Sequence, residues 1–388
     1  MAWERPLLKN TKHYSMKVTT FVGTRPEIIR LSRIIAVLDT YVDHVLVHTG
    51  QNYDYELNGI FFEDLGIRKP DHFLNAAGQT PMETIGQILA KGDALLDELK
   101  PDAVLILGDT NSCLIAIAAK RRKIPIFHME AGNRCFDFRV PEEINRKIVD
   151  HISDINLPYS TIARHYLINE GFKPEQVIKT GSPMREVLNF YRDKIEQSNI
   201  VSQLELQEKK YFVVSSHREE NVDASGKLEM LLDILSELHK TYGFPIIFST
   251  HPRTRIKLEK QGLIANYPGI QFMKPLGFSD YIQLQMKAAV TISDSGTITE
   301  ESSIMGFPAI NIREAHERPE GMEEAAVMMT GLHKQRVMEA LHILLTQQAQ
   351  QQWPTAPVSD YLPDNVSEKI LRIIMSYTDY INQFVWKK

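Results

Sequence analysis

Short apolar runs alternate with longer segments of helical periodicity along most of this chain. The runs are rich in β-branched residues and nearly continuously apolar, which is typical of parallel strands that helices cover on both faces. The candidate strands of the first half are Val18–Val22, Val45–His48, Val104–Leu107, Ile126–His128, Ile155–Leu157 and Val177–Ile178; those of the second half are Phe212–Ser215, Pro245–Ser249, Gln271–Met273, Val290–Ile292 and Ala309–Ile312. This pattern predicts an α/β fold built from βα units.

The two groups of strands predict two domains, and 388 residues are enough for two cores. We expect an extension outside the fold at residues 1–15, an N-terminal domain at 16–190, a C-terminal domain at 205–355, and a helix at 364–386 that can pack back on the first domain. Polar residue types follow nearly every candidate strand. Because ligands bind at the carboxyl ends of strands in open α/β sheets, we predict parallel sheets that face one central cleft.

Composition narrows the class of partner. The formal net charge of -5 and the isoelectric point near 6.2 provide no basic field, so nucleic acid is not expected as the main partner. No apolar stretch approaches the ~20 residues of a membrane span, and residues 1–15 lack the apolar segment of a signal peptide. Cys113 and Cys135 have no metal-binding or redox spacing. We therefore expect a cytoplasmic protein without a membrane or metal partner.

Three carboxylates are candidates for acid/base chemistry. Asp109 and Glu130 each lie just past an apolar strand, where a buried and unpaired carboxylate would be costly. Glu142 lies at the start of a predicted helix, where its stabilisation of the helix dipole is already a sufficient structural reason for it. A cluster of all three beside an arginine-lined cleft favours proton transfer.

Two segments are candidates for phosphate binding. Arg25 lies in the turn between the first strand and its helix, although a solvated arginine in a tight turn explains it equally well. Ser295 and Gly296 precede a predicted helix whose free N–H groups favour a phosphate. Thr297 with Glu300 also fits a capping box that merely starts the helix. Glycine-rich nucleotide motifs are absent, so dinucleotide cofactors and ATP are not supported.

One histidine and one cysteine complete the candidates. His217 follows a strand of the second half and can bind phosphate or transfer a proton near neutral pH, although a single histidine is more often structural. Cys135 follows Arg134, but a packing thiol explains it more simply than a nucleophile.

The motifs, taken together, resemble those of the non-hydrolysing UDP-N-acetylglucosamine 2-epimerase family across residues 16–385. They occur in the family's order: GTRPE at 23–27, GDT at 108–110, EAG at 130–132, PEEINR at 141–146, SHREEN at 216–221, DSG at 294–296 and ERPE at 317–320. Each motif is weak alone, but the ordered set is specific. The resemblance implies two Rossmann-like domains in a glycosyltransferase-B-type arrangement, no NAD, metal or other cofactor, a UDP-sugar substrate and a homodimer.

The motifs and the resemblance together define a set of site residues. The catalytic candidates are Asp109, Glu130, Glu142 and His217; the candidates for binding substrate and UDP are Arg25, Arg146, Tyr281, Ser295, Gly296, Glu301 and Arg318. The resemblance makes Glu301 the match of a ribose-binding glutamate. It also places Tyr281 where the family has an aromatic residue that stacks on uracil.

Finer features resemble the UDP-N-acetyl-L-fucosamine synthase branch, which acts in capsule and O-antigen sugar synthesis. These features are RPEIIRLSR at 25–33, GDTNSC at 108–113, EAGNRCFDFRVPEE at 130–143 and KTGSPM at 179–184. They imply UDP-2-acetamido-2,6-dideoxy-L-talose as substrate. Arg30 in place of a lysine, Glu219 in place of an arginine and Thr297 in place of a glycine depart from the glucosamine enzymes. Interconversion of UDP-N-acetylglucosamine and UDP-N-acetylmannosamine stays the alternative.

The C2 proton of such a sugar has no neighbouring carbonyl and is too weakly acidic for simple removal and return. The expected route loses UDP from C1 while a base takes the C2 proton, and UDP then returns to the glycal as a proton arrives on the other face. Preorganised donors must stabilise the departing diphosphate, for which Arg25, His217 and the Ser295 and Gly296 amides are candidates. A glycosyltransferase, a hydrolysing relative and a catalytically silent nucleotide-sugar sensor stay open as rivals.

Overall fold

The computed structural model describes residues 15–50, 59–216, 226–250, 252–314, 318–351 and 356–388. The strands are β1 Lys17–Val22, β2 Asp43–His48, β3 His72–Phe73, β4 Ala103–Leu107, β5 Ile126–Met129, β6 Ile155–Leu157, β7 Phe212–Ser216, β8 Ile246–Thr250, β9 Ile270–Met273, β10 Val290–Ser293, β11 Ala309–Asn311 and β12 Met328–Met329. The helices are α1 Arg25–Tyr41, α2 Gly59–Asp64, α3 Pro81–Leu99, α4 Ala116–Arg121, α5 Pro141–Ile152, α6 Thr161–Asn169, α7 Met184–Phe190, α8 Arg192–Glu196, α9 Ile200–Gln203, α10 Lys227–Tyr242, α11 Pro252–Lys260, α12 Phe278–Lys287, α13 Thr297–Met305, α14 Pro319–Glu323, α15 Lys334–Ala349 and α16 Val366–Phe384.

The strands form two parallel sheets of the same topology. The first has the order β3-β2-β1-β4-β5-β6, and the second the order β12-β11-β10-β7-β8-β9. In each sheet the second and third strands in chain order lie on one side of the first strand, and the later strands lie on its other side. The strand order therefore switches sides once, between β1 and β4 in the first sheet and between β7 and β10 in the second. A crevice opens at such a switch, outside the carboxyl ends of the strands. The predicted α/β class, with two Rossmann-like domains, is confirmed.

Some strand predictions were wrong in detail. Val177 forms only an isolated bridge with Asn156, so the predicted strand Val177–Ile178 does not exist. The short edge strands β3 and β12 were not predicted, because two residues are too few to show an apolar pattern.

Each sheet is covered by helices that complete its core. Val18 of β1 and Leu105 of β4 belong to the first core, to which α16 contributes Ile370 and Ile374. The apolar residues of α16 recur at helical spacing, and this stripe faces α1. A second core surrounds Phe212 and its sheet. The final helix thus packs on the layer of the first sheet.

The two halves also contact each other directly. Phe278 and Ile282 of α12 are buried among the residues of the first core. The Phe278 ring lies edge-on to Tyr191, with 6.0 Å between ring centroids. These contacts fix one wall of the cleft between the sheets. Among the described residues, no helix combines the length and the apolar character needed to cross a membrane.

Candidate active site

A cleft lies between the carboxyl ends of the two sheets. It encloses about 740 Å³ of space, part of it open to solvent. Residues of both halves line it: Arg25, Ile29 and Arg30 of α1, Ser215 and Ser249 at strand ends, Phe278, Tyr281 and Gln285 of α12, and Ser293, Ser295, Thr297 and Glu301 around the start of α13. The predicted shared cleft is present.

The turn before α1 is held by a buried carboxylate. Glu27 accepts hydrogen bonds from the N–H groups of Gly23, at 2.9 Å, and Thr24, at 2.7 Å, and this capping box begins the helix. Its other oxygen accepts the hydroxyl of Thr110 at 2.9 Å, which joins the turn to the loop after β4. Burial raises the pKa of Glu27 to about 7 against these hydrogen bonds. The capping box fixes the start of α1, where Arg25 lies.

Arg25 is half-buried in the wall of the cleft. Its guanidinium carbon lies 5.5 Å from the centre of the Phe61 ring. Burial lowers the pKa of Arg25, although Tyr281 and Glu301 act in the opposite direction. A cation that is kept partly dry in this way gains from an incoming diphosphate.

The first turn of α13 differs from the predicted capping box. The helix begins at Thr297, and Gly296 is the capping residue without a side-chain hydrogen bond, so the assignment of Thr297 as the cap was wrong. Ser295 Oγ instead accepts the Thr297 N–H at 3.3 Å. Glu300 does not return to the helix start because it pairs with Arg30 of α1. Ser295 and Thr297, at the start of this helix, both line the cleft.

The residues expected to contact the nucleoside lie together. Tyr281 and Glu301 both line the cleft, on α12 and α13. Glu301 accepts a hydrogen bond from Gln285 Nε2 at 3.1 Å. Burial raises the pKa of Glu301 and that of Tyr281. A buried acceptor and an aromatic ring on neighbouring helices suit a ribose and a base.

Asp109 and Arg146 form a close ion pair at the edge of the first sheet. Asp109 Oδ2 lies 2.8 Å from Arg146 Nε and 2.7 Å from its Nη2. The amide of Asn145 holds the Asp109 carbonyl at 2.9 Å. Arg146 Nη1 contacts the buried carboxylate of Glu143 at 2.9 Å. Asp109 is therefore a paired carboxylate, with 28% of its side chain exposed.

Glu130 has a strained backbone directly after β5, with φ at +63°. Its Oε1 lies 2.5 Å from Arg318 Nη2, and Asn133 Nδ2 donates to the same oxygen at 3.3 Å. Gly108, with φ at +81°, runs so close to Glu130 that an added Cβ would lie 3.5 Å from Oε2. The loops that hold Asp109 and Glu130 thus meet.

The remaining predictions have different outcomes. Glu142 lies in the first turn of α5, as predicted, and is partly buried. His217 lies outside the described residues. Burial raises the pKa of Cys135, which is the opposite of what a nucleophilic thiol needs. Among the described residues, no group of three or more histidine, cysteine, aspartate or glutamate side chains could hold a metal ion.

Two features of the site were missed. Arg30 is bound in bidentate fashion by Glu300 of the other half, a pairing across 270 residues that leaves no local pattern. Beneath the two loops, His128 lies 2.9 Å from Asp150 and 2.8 Å from the Gly108 carbonyl. The one sequence signal for these His128 contacts was a histidine inside an apolar strand, with carboxylates later in the chain.

Comparison with known proteins agrees with this fold. A family model described as UDP-N-acetylglucosamine 2-epimerase matches residues 37–375. The structure of a UDP-N-acetylglucosamine 2-epimerase from Rickettsia bellii is 52% identical and superposes with a TM-score of 0.89, covering 96% of this chain and all of the other. The Methanocaldococcus jannaschii enzyme in complex with UDP-GlcNAc and UDP is 33% identical with a TM-score of 0.86, covering 93% of this chain and all of the other.

A third relative acts on another sugar. The UDP-2,3-diacetamido-2,3-dideoxy-D-glucuronate 2-epimerase of Pseudomonas aeruginosa is 33% identical over 331 residues, which are 84% of this chain and 91% of the relative. The fold and the cleft define a two-domain α/β enzyme of nucleotide sugars. The chain belongs to the UDP-N-acetylglucosamine 2-epimerase family, and it is an isomerase, a UDP-sugar 2-epimerase.

Proposed function

We propose that the chain converts UDP-2-acetamido-2,6-dideoxy-L-talose to UDP-N-acetyl-L-fucosamine, a precursor for capsule or O-antigen synthesis. The observation that carries the proposed chemistry is the meeting of the Asp109 and Glu130 loops, each carboxylate paired with an arginine. The L-sugar rests on the motifs of the fucosamine synthase branch. It also rests on Arg30 and Thr297, which depart from the glucosamine enzymes and both line the cleft.

In this proposal, UDP leaves from C1 while a carboxylate takes the C2 proton. Arg25 and the first-turn N–H groups of α13 stabilise the diphosphate, because fixed donors cost no reorganisation as charge develops. Tyr281 stacks on the base and Glu301 binds the ribose. Ser295 and Gly296 approach the phosphates.

The proton steps belong to the first half of the chain. Asp109, Glu130 and Glu142 supply and remove protons at C2, with His217 as a further catalytic group. Arg146 and Arg318 orient the first two carboxylates. Packing of α12 on the first core keeps water from the glycal intermediate.

The charges at the cleft favour a neutral sugar over a uronate. Arg30 and Arg318 are the cations beside Glu130, and the carboxylates Glu130 and Glu300 balance both of them. Among the described residues of this cluster, no positive charge is left over for a sugar carboxylate. The glucuronate named for the Pseudomonas relative therefore fits this chain less well.

The second candidate is interconversion of UDP-N-acetylglucosamine and UDP-N-acetylmannosamine. It is favoured by the Rickettsia and Methanocaldococcus enzymes, which are named for this sugar. Both candidate substrates carry UDP, so only the contacts of the hexose distinguish them.

One experiment separates the candidates. The protein is incubated in D₂O with each UDP-sugar, and NMR follows the configuration and the deuterium content at C2. The proposal expects inversion and labelling of the L-talose substrate, and inversion of the D-glucose substrate at least 100-fold more slowly. Faster turnover of UDP-N-acetylglucosamine would establish the second candidate. An unlabelled C2 would rule out elimination, and free UDP and sugar would indicate a hydrolase.

We also propose a homodimer. Phe136 and Phe138 are each 65% exposed, and Ile144 and Ile148 of the adjacent α5 are 48% and 37% exposed. Exposed apolar side chains concentrated in one segment of the chain are typical of a protein interface. Light scattering should give a mass of two chains, and Phe138→Asp should shift it towards one.

A further inference from the structure

Four charged side chains meet across the boundary between the two halves. Arg30 and Glu130 come from the first half, and Glu300 and Arg318 from the second. Arg30 Nη1 lies 3.1 Å from Glu300 Oε1, and its Nη2 binds the other oxygen. Arg318 Nη2 lies 2.5 Å from Glu130 Oε1 and 3.3 Å from Glu300 Oε2. Arg30 Nε also lies 3.9 Å from Glu130 Oε2, so each arginine faces both carboxylates.

Only one of these carboxylates is exposed to solvent, and that one is Glu130. Glu300 is completely buried, and Arg30 and Arg318 are 2% and 4% exposed, whereas 17% of the Glu130 side chain is exposed. Burial would raise the pKa of Glu300, but Arg30 and Arg318 outweigh it, and the pKa is lowered. Glu300 is thus a fixed negative charge that substrate does not touch.

The charges of the four cluster residues balance one another. Two guanidinium groups face two carboxylates, and both guanidinium carbons lie 5.6 Å from the centre of the buried Tyr159 ring. Ser182 donates its hydroxyl to Glu300. Beyond Arg318, Glu320 lies 4.0 Å from Nη1 and accepts the Tyr361 hydroxyl at 2.8 Å. Burial raises the pKa of Glu320.

We propose that Glu300 is a positioning residue for the epimerase reaction: together with Arg30 it holds Arg318 against Glu130 across the two halves and balances the second positive charge. This inference rests on the proposed function, because it assumes that Glu130 transfers a proton at C2. Without the charge of Glu300, two cations face Glu130 alone. Without the charge of Arg30, two carboxylates compete for Arg318.

Loss of Glu300 and loss of Arg30 change the net charge beside Glu130 in opposite directions. Glu300→Gln leaves one excess positive charge beside Glu130, which favours its ionised form. The limb of the pH–rate profile that Glu130 governs should move to lower pH, by about one unit. Arg30→Met should move the same limb to higher pH. The double variant Arg30→Met/Glu300→Gln removes a balanced pair and should return the limb towards its original position.

The kinetic parameters provide a second readout. Each single variant should lower kcat at least tenfold. Glu300→Gln should change KM less than threefold, because Glu300 is fully buried and does not line the cleft. Arg33→Met is the matched control for Arg30→Met, since Arg33 lies on the same helix and its guanidinium stacks on Phe190 instead. The control should leave the pH profile unchanged.

Calorimetric UDP binding identifies variants that have kept their fold. If Glu300→Gln fails to fold, Arg30→Met can still be compared with the double variant. Arg30→Met leaves two carboxylates facing Arg318 alone, and the double variant removes this excess negative charge. Parallel pH shifts, or a Glu300→Gln enzyme with full kcat, would overturn the inference while leaving the epimerase intact. Absence of C2 exchange in the unaltered enzyme with every UDP-sugar would instead refute the proposed function.

Discussion

Arg146 binds one carboxylate oxygen of Asp109 through two nitrogens, Nε at 2.8 Å and Nη2 at 2.7 Å. Its third nitrogen contacts Glu143 at 2.9 Å, so a single guanidinium orients Asp109 from the first turns of α5. A lysine has one ammonium group and cannot reproduce this planar arrangement.

Arg146→Lys should therefore lower kcat on the order of 100-fold, because a small misplacement of a catalytic group is enough for such a loss. KM should change little if UDP is bound elsewhere. Arg192→Lys, at an exposed pair with Glu196, is the control and should retain full activity. If the loss in kcat/KM came entirely from a higher KM, with kcat unchanged, Arg146 would bind substrate rather than orient Asp109.

The Tyr281 ring tests the position of the nucleoside. Stacking of a base on an aromatic ring is worth roughly 1–3 kcal/mol, so Tyr281→Ala should weaken UDP binding about tenfold or more. Tyr281→Phe keeps the ring and should bind UDP nearly as well as the original protein. Calorimetry with UDP alone measures both, and equal affinities for all three proteins would move the base elsewhere in the cleft.

Much of the site could be predicted because it follows from local rules. Asp109 and Glu130 come after apolar strands, and the carboxyl ends of parallel strands share one edge. Arg25 could be placed at a helix start from Pro26 alone. The pairing of Arg30 with Glu300 could not be predicted, because it depends on how two sheets face each other and no spacing encodes that. The same pairing explains why the predicted capping box of Thr297 and Glu300 was wrong.

Because of Glu27, the free energy of unfolding should depend on pH between about 4.5 and 7. Its pKa in the fold is about 7, above its ordinary value of 4.5, so the folded protein binds a proton that the unfolded chain releases. Stability should then fall as pH rises from about 4.5 to 7, by about 3 kcal/mol at most. Glu27→Gln should remove this dependence, because a glutamine side chain does not titrate. Its amide oxygen can still accept the two backbone N–H groups.

Denaturant unfolding at pH 5, 6 and 7 measures this difference. Glu83→Gln is the control, because Glu83 accepts the Gln79 N–H at the exposed start of α3 in a similar arrangement. The control should keep the slope of the unaltered protein. Identical slopes for Glu27→Gln and the unaltered protein would contradict a raised pKa in the fold.

His128 should stabilise the two carboxylate loops as a buried cation. Its Nε2 must donate to the Gly108 carbonyl, since a carbonyl can only accept, and its Nδ1 faces Asp150. Burial would lower the pKa of His128, but the hydrogen bond and the charge of Asp150 outweigh it and raise the pKa. Asp150 also binds Arg134 at 2.7 Å. Stabilisation by His128 is therefore complete below about pH 6.5 and is lost as pH rises through the raised value.

His128→Gln keeps a donor for Gly108 but removes the charge, so it should cost about 1–3 kcal/mol at pH 6 and less at pH 9. His151→Gln is the matched control, because exposed His151 contacts the Lys147 carbonyl at 2.8 Å without a buried carboxylate. Unfolding free energies of the three proteins at both pH values give the comparison. A loss for His128→Gln that is the same at pH 6 and pH 9 would show that the imidazole is neutral, and that hydrogen bonding alone holds Gly108 beneath Asp109.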